Sequence, residues 1–367
     1  MSDNVVNEYL PDRVTHPGET LADAIEEIGM SQSELADRTG RPKKTINEII
    51  KGQTTIIPET AIQLERVLGI PASFWISRQR QYDESEARAK ERGRLAGQLD
   101  WMKSFPVSQM TKLGWLQHKA SAVARLEALL SFFAIGSPEE WAKVWDKPRR
   151  EAVFRTSKAH PANPKALSAW LRRGEIEAGR LSCKSYNRTT FQNALQDIRL
   201  MLSELPNELD RRIQERCGEA GVAAVFVPLI SGVHAWGATR WIAPDRAMLL
   251  LSLKGKWEDV FWFTFFHESA HILLHGKKSM FVDSGPGLPN KEEEEADSWA
   301  SEFLIPEALW HSFIEGKSVF TESEVSRFAA LSGISPAIVV GRLQHEGLLP
   351  NTRLNSLRRR IQFSLVL

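Results

Sequence analysis

The sequence predicts a mainly α-helical protein with a small β element. Residues 12–82 hold five short segments of helical apolar spacing, punctuated by glycine and proline. Residues 83–216 keep helical spacing, whereas short apolar runs typical of strands follow Gly221. We therefore predict an N-terminal five-helix domain (12–82), a helical middle region or linker (83–216), a C-terminal α+β domain (217–350) and a basic tail (351–367), whose arginines we interpret as a solvated end.

Composition and charge favour an ordinary globular protein. The chain has 367 residues, 42% of them hydrophobic and 25% charged, and its net charge is +1. Nucleic-acid binding would therefore depend on a local basic patch. Two cysteines cannot build a disulfide framework, and the polar segment Met1–Leu10 lacks the apolar run of a secretory signal. We expect a cytoplasmic protein with no membrane partner.

The second and third predicted helices have the spacing of a helix-turn-helix. Ser31 precedes the first of them, Gly40 supplies the turn, and the second runs from about Pro42 to Lys51. Lysine suits phosphates or guanine edges, and asparagine suits adenine edges. The residues expected to contact DNA are Gln32, Ser33, Lys43, Lys44, Thr45, Asn47 and Lys51. A small helical domain that binds protein is the alternative, because helical hairpins with a glycine turn are common.

Four further motifs place this domain in a family context. They are His16-Pro17-Gly18-Glu19-Thr20-Leu21, Ser31-Gln32-Ser33-Glu34-Leu35-Ala36, Pro58-Glu59-Thr60-Ala61 and Phe74-Trp75. Together they resemble the HigA branch of XRE-type regulators over about residues 12–82. The resemblance implies binding to double-stranded operator DNA as a homodimer. Arg41 stands where an apolar residue is common in that family.

A second pattern, His267-Glu268-Ser269-Ala270-His271, lies in an apolar helical segment and points to metal chemistry. Two histidines four residues apart share one helix face, so two neutral imidazoles can bind one Zn²⁺. Glu268 can take a proton from a water molecule on the metal and pass it to a leaving amine. A catalytic zinc needs a third protein ligand, which must come from elsewhere in the chain.

Glu293 is the preferred third ligand. It lies three residues before Ala296 and seven before Ala300, on the apolar face of the next predicted helix, and a buried carboxylate needs a partner. Glu292 is the alternative. Asp297, one turn later, is expected to orient a ligating histidine, and His275 is expected either to do the same or to line a groove.

These segments resemble the ImmA/IrrE metallopeptidase family. The resemblance rests on residues 263–275 (FTFFHESAHILLH) and 293–306 (EEEADSWASEFLIP), and it covers about residues 220–350. It implies that His267, His271 and Glu293 bind zinc, that Glu268 is the general base, and that a specific repressor or antitoxin is cut in stress, phage or toxin–antitoxin regulation. A site with two histidines and one glutamate also accepts Mn²⁺. Trp299 replaces a common phenylalanine.

The principal hypothesis is thus a DNA-binding transcriptional regulator fused to a zinc metallo-endopeptidase, which can be latent until activated. The alternative is a HigA-like antitoxin or repressor whose peptidase-like domain is a sensor or a protein-binding module without proteolysis. In a third interpretation the middle region senses a ligand or nucleic acid and gates the peptidase. The helix pair at 322–347 is expected to pack against the peptidase domain.

Overall fold

The computed structural model describes residues 14–146, 153–155, 163–204, 206–252, 257–277, 280–283 and 291–361. The N-terminal segment Met1–Leu10 lies outside them. Contacts divide the chain into two compact units, Met1–Gln98 and Leu99–Leu367. In the described part of the chain, no helix combines the length and the apolar character needed to cross a membrane.

The N-terminal unit is built from five helices, as the sequence predicts. They are α1 (Pro17–Glu27), α2 (Gln32–Thr39), α3 (Lys43–Ile50), α4 (Pro58–Leu68) and α5 (Ala72–Ala96). Their apolar faces meet in one core around Leu21, Leu35, Ile46, Leu64 and Trp75. Each short helix buries a single stripe of apolar side chains, so the spacing of apolar residues in the sequence predicts these helices.

Helix α5 differs from the expectation in its length. The fifth helix of the domain continues through residues 83–96, the segment interpreted as a connector, and ends at Ala96. Ion pairs within the helix join Arg88 to Glu84 and Arg94 to Glu91 on its exposed surface. Pairs at such spacings stabilise a helix that buries little apolar surface. The first residues of the predicted helical middle region, 83–96, therefore continue the fifth helix.

The second unit has twelve helices and five strands among its described residues. The helices are α6 (Leu99–Lys103), α7 (Val107–Lys112), α8 (Ala122–Phe133), α9 (Pro138–Trp141), α10 (Pro164–Arg180), α11 (Arg188–Arg199), α12 (Leu209–Glu219), α13 (Glu258–Leu274), α14 (Lys291–Leu304), α15 (Glu307–Ile314), α16 (Glu322–Ser332) and α17 (Pro336–His345). A π-helical turn (Ala142–Asp146) and two 3₁₀ turns (Leu200–Leu202, Asn355–Leu357) complete them. The strands are β1 (Val153–Arg155), β2 (Val222–Val227), β3 (Gly237–Ala243), β4 (Arg246–Ser252) and β5 (Met280–Asp283).

The strands form one mixed sheet in the order β1-β5-β3-β4-β2. Strand β3 runs antiparallel to both β4 and β5, whereas β4 with β2 and β5 with β1 are parallel pairs. Two of the short apolar runs expected after Gly221 correspond to β2 and β4. The predicted class, mainly α with a small β element, is confirmed.

The sheet is covered by helices on both faces. Along β2, Val222, Ala224 and Phe226 pack into the core that contains α13. The alternate residues Ala223 and Val225 pack into a second core, to which α10 and the helices before it contribute. Burial on both faces explains why these strands are continuous apolar runs. The helices of the region 99–180 form the layer opposite α13, and the sheet lies between them.

The C-terminal residues correct one expectation. Arg358 and Arg359 are not a solvated end, because they form ion pairs with Asp259 and Glu258 at the start of α13. Ile361 is buried in the same core as α13. Sequence alone could not show this, since the partner carboxylates lie about a hundred residues away. Residues 362–367 lie outside the described part of the chain.

Candidate metal centre and helix-turn-helix surface

Helix α13 carries the His-Glu-x-x-His pattern through the middle of the second unit. It begins after Trp257, and its first turn holds Glu258 and Asp259, which suit the positive end of the helix dipole. Nearly all of its residues are buried, because it packs between the sheet and helices α14 and α17. His267, Glu268 and His271 are therefore enclosed on every side, where polar groups need specific partners.

The structure brings His267, His271 and Glu293 together. All three side chains are buried, and one potential ligand atom from each lies within 4.8 Å of the others. The two Nε2 atoms are 3.1 Å apart, and Glu293 Oε2 lies 3.2 Å from His267 Nε2. Glu292, the alternative considered from the sequence, is half-exposed and lies outside this cluster.

The outer nitrogen of each histidine faces a separate polar group. Asp297 Oδ1 lies 2.9 Å from His267 Nδ1. His271 Nδ1 lies 2.8 Å from His275 Nδ1, and His275 Nε2 lies 3.3 Å from Glu295 Oε2. Each Nε2 faces the Glu293 carboxylate, where it can donate a hydrogen bond to that carboxylate or, with the proton on Nδ1, a lone pair to a cation. Asp297 and His275 thus lie where groups that orient metal-binding histidines are found.

Electrostatics favour the protonation states that metal ligands need. Burial lowers the pKa of His271 to about 4, although Glu293 nearby opposes the shift. Burial also tends to raise the pKa of Glu293, but the two imidazoles beside it outweigh this effect and bring that pKa to about 2. At neutral pH, His271 is therefore neutral and Glu293 is a carboxylate.

Glu268 is fully buried and faces strand β3. Thr239 Oγ1 donates a hydrogen bond of 2.6 Å to Glu268 Oε2. A Cβ atom built on Gly237 would lie 2.6 Å from Glu268 Cγ and from Oε1, closer than real Cβ contacts allow. Gly237 and Thr239 are two residues apart in β3 and therefore lie on the same face of the strand. Gly237 leaves space for the Glu268 carboxylate, and Thr239 holds that carboxylate through its hydrogen bond.

Sequence reasoning missed Gly237, Thr239 and Phe281 as parts of this site. Phe281 of β5 stacks on His271, with ring centroids 4.0 Å apart and an interplanar angle of 15°. Neither the pairing of β5 with β3 nor the placing of β3 against α13 leaves a periodic signal. Only the occurrence of a glycine and a threonine two residues apart in a strand could have suggested that another part of the chain approaches this strand closely.

The donor set fits a divalent cation such as Zn²⁺. Two neutral imidazole nitrogens and one carboxylate oxygen converge at one buried point, and three protein ligands with an open position are typical of catalytic zinc. Three electron-rich atoms at this separation repel one another unless a cation or protons lie between them. The positions of the three donor atoms therefore suit a bound divalent cation.

The helix-turn-helix surface lies on α2 and α3 of the N-terminal unit. Ser31 Oγ accepts a hydrogen bond from Glu34 N–H at the start of α2, and Gly40 closes that helix with φ of 67°. Leu35, Ala36 and Ile46 are buried between the helices. The expected DNA contacts remain accessible: Gln32, Lys43, Lys44 and Lys51 are exposed, and Ser33, Thr45 and Asn47 are half-buried.

Two contacts order this surface before any ligand arrives. Asn47 Nδ2 donates to Gln32 Oε1 at 3.2 Å, which links the start of α2 to α3. Lys44 lies 3.8 Å from Glu48 on the exposed side of α3. Arg41, the departure from the family pattern, donates from Nε to Gln63 Oε1 of α4 at 2.6 Å and so anchors the turn in place of an apolar residue.

Fold and site together define a two-part protein, with a helix-turn-helix domain followed by a metallopeptidase-type domain. Comparison with family models agrees with this class. Residues 21–75 match the helix-turn-helix model, and residues 245–344 match that of peptidase family M78, described as an IrrE N-terminal-like domain. The chain is therefore of the XRE type in its N-terminal part and of the IrrE-like peptidase type in its C-terminal part.

Individual relatives match the N-terminal part. Virulence-associated proteins I and A of Dichelobacter nodosus are 36% and 33% identical over 69 residues, 18% of this chain, and the chain spans 64% and 68% of their lengths. A HigA-family antidote protein from Coxiella burnetii is 30% identical, with 23% of this chain and 94% of that chain covered and a TM-score of 0.22. Pseudomonas aeruginosa antitoxin HigA, solved with the higBA promoter, is 34% identical, with 21% and 86% covered and a TM-score of 0.21.

Proposed function

We propose that this protein is a cytoplasmic transcriptional regulator that binds operator DNA as a homodimer and cleaves a specific partner protein, a repressor or an antitoxin, with a metal-dependent endopeptidase centre. The observation that carries the proposal is the buried convergence of His267, His271 and Glu293 next to Glu268. Zn²⁺ is the expected ion, and Mn²⁺ suits the same ligands.

In this mechanism His267, His271 and Glu293 would hold the ion, while Asp297 and His275 keep the two imidazoles in orientation. A bound Zn²⁺ would supply a Lewis acid that acidifies water and polarises a peptide carbonyl. Glu268 accepts a proton from the attacking water and delivers it to the amine of the broken peptide bond. Thr239 holds the Glu268 carboxylate through its hydrogen bond, which limits the orientations that the carboxylate can adopt.

Co-expression with the products of the neighbouring genes tests the peptidase. We expect intact-mass measurements to show a partner that is cut by the wild type and left whole by Glu268→Ala, because the proton acceptor is gone. Glu292→Ala, a half-exposed glutamate outside the cluster, serves as the matched control and should cleave normally. If the wild type leaves every partner whole although it binds metal and recognises operator DNA, the result favours the alternative, a regulator without proteolysis.

Operator recognition is tested on α3. Asn47→Ala should lower the preference for operator over random DNA by about 1–3 kcal/mol, because asparagine reads an adenine edge. Lys43→Ala should weaken binding to both DNAs alike. The slope of log affinity against log salt concentration should become smaller by about one. Fluorescence anisotropy over a salt series, on DNA from upstream of the protein's own gene, measures both effects.

Lys90→Ala, on the exposed surface of α5, provides the control for the loss of one positive charge. Equal operator preference in wild type and Asn47→Ala would contradict base reading by α3. A salt dependence unchanged by Lys43→Ala would contradict a phosphate contact at that position.

A further inference from the structure

The first turn of α13 contains two carboxylates that have been withdrawn from water. Glu258 has no exposed surface, and 8% of Asp259 is exposed. Burying a charge is costly unless the charge is paired and hydrogen-bonded. The groups that pair with these two carboxylates therefore determine how firmly the helix that bears His267 and His271 is held at its start.

The partners are two arginines from the C-terminal part of the chain. Arg359 donates to both oxygens of Glu258, from Nε at 2.9 Å and from Nη2 at 3.1 Å. Arg358 donates to both oxygens of Asp259, from Nη2 at 2.7 Å and from Nε at 3.2 Å. Each pair uses the two-pronged geometry in which arginine binds carboxylates most strongly.

Backbone and ring contacts strengthen this attachment. Glu258 N–H donates to Arg359 O at 3.0 Å, next to an antiparallel bridge between Trp257 and Arg360. The Trp257 ring lies 4.9 Å from the guanidinium of Arg358 and 4.8 Å from that of Arg360, within cation–π range. Ile361 completes the attachment by entering the core. Three consecutive residues thus contact the start of one helix, and the residue after them is buried in the core that contains this helix.

Helix α17 contacts the same turn of α13 from another direction. Ser335 Oγ donates to Glu258 Oε2 at 2.9 Å. Gly341 allows close packing, because a Cβ atom there would lie 2.6 Å from Asp259 Oδ2. Glu258 and Asp259 therefore fix α13 to both α17 and the C-terminal residues.

From these contacts we propose that residues 358–361 form a clasp that positions α13, so that metal binding depends on two arginines remote from the metal ligands. His267 follows Glu258 by nine residues, about 13 Å along the helix. Glu293 belongs to a different helix, so a shift of α13 changes the distance between ligands. Metal–ligand distances in protein sites lie within about 0.2 Å of their typical values. The proposal rests on the proposed metal centre.

The test compares Zn²⁺ affinity and amide hydrogen exchange in the full chain. We expect Arg358→Gln/Arg359→Gln to bind Zn²⁺ about tenfold more weakly or worse in competition with a chromogenic chelator. Amides of residues 259–267 in the metal-free protein should exchange faster. Arg327→Gln/Arg353→Gln removes the same charge from exposed positions and should match the wild type. Should the glutamine variant unfold, Arg358→Lys/Arg359→Lys keeps the charge, loses the two-pronged geometry and should show a smaller loss in the same direction.

Equal Zn²⁺ affinity in the wild type and both clasp variants would overturn the inference and leave the proposed metal centre intact. A wild type that binds no Zn²⁺ would instead refute the proposed centre. In that case the exchange data decide about the clasp, and unchanged exchange at residues 259–267 would overturn it as well.

Discussion

Glu293→Ala is expected to weaken Zn²⁺ binding by about 100-fold or more, because it removes the only carboxylate of the His267–His271–Glu293 cluster. The two histidines remain, but a pair of imidazoles on one helix cannot enclose the ion. Asp297→Asn should cost about 10- to 100-fold, since the group beside His267 Nδ1 loses its charge while the ligand stays. Chelator competition and metal content after dialysis measure both changes.

Glu294→Ala is the matched control, because Glu294 lies next to Glu293 on α14 but is exposed. It should retain the affinity of the wild type. Wild-type affinity in Glu293→Ala would contradict the assigned ligand set and direct attention to other acidic residues of α14.

Gly237→Ala is expected to lower cleavage of the partner protein by about 100-fold while the metal content stays normal. The new methyl group would lie 2.6 Å from Glu268 Cγ and Oε1, so the carboxylate must leave its place beside Thr239. Displacing a reacting group by about 1 Å costs catalysis about this much. We expect His267 and His271 to keep their positions, because the three atoms nearest to the new methyl group all belong to Glu268.

The rate of partner cleavage, followed by mass spectrometry alongside zinc content, measures this effect. Gly179→Ala controls for the substitution itself, since a Cβ atom there meets nothing within 4 Å. Wild-type cleavage by Gly237→Ala would mean that Glu268 acts from another position or plays no part in proton transfer. Loss of zinc together with cleavage would indicate a general disturbance of the site.

The parts of this protein that follow from local pattern were predictable. The spacing of His267 and His271 placed two imidazoles on one face of a helix, and the apolar stripe of the next helix singled out Glu293. The five N-terminal helices followed from glycine and proline punctuation for the same reason. In each case the information lies within about ten residues, which is the range over which periodicity operates.

The parts that depend on contacts between distant segments were not predictable. Thr239 reaches Glu268 across 29 positions, and Arg359 reaches Glu258 across 101. Three consecutive arginines have the same sequence in a solvated tail and in a segment held by ion pairs. The two cases differ only in whether carboxylates from another part of the chain lie next to the arginines. Residues 83–96 are helical, as expected for the middle region, but the charge pattern could not show that they continue the fifth helix without a break.

The clasp also has a consequence for the order in which the chain folds during synthesis. The N-terminal unit ends at Gln98, so all of its contacts can form while the rest of the chain is still being made. The start of α13 must wait for Arg358 and Arg359, about a hundred codons after its own. Such long sequence separation slows folding. A nascent or prematurely terminated chain can therefore carry a finished helix-turn-helix domain while helix α13 is still unanchored.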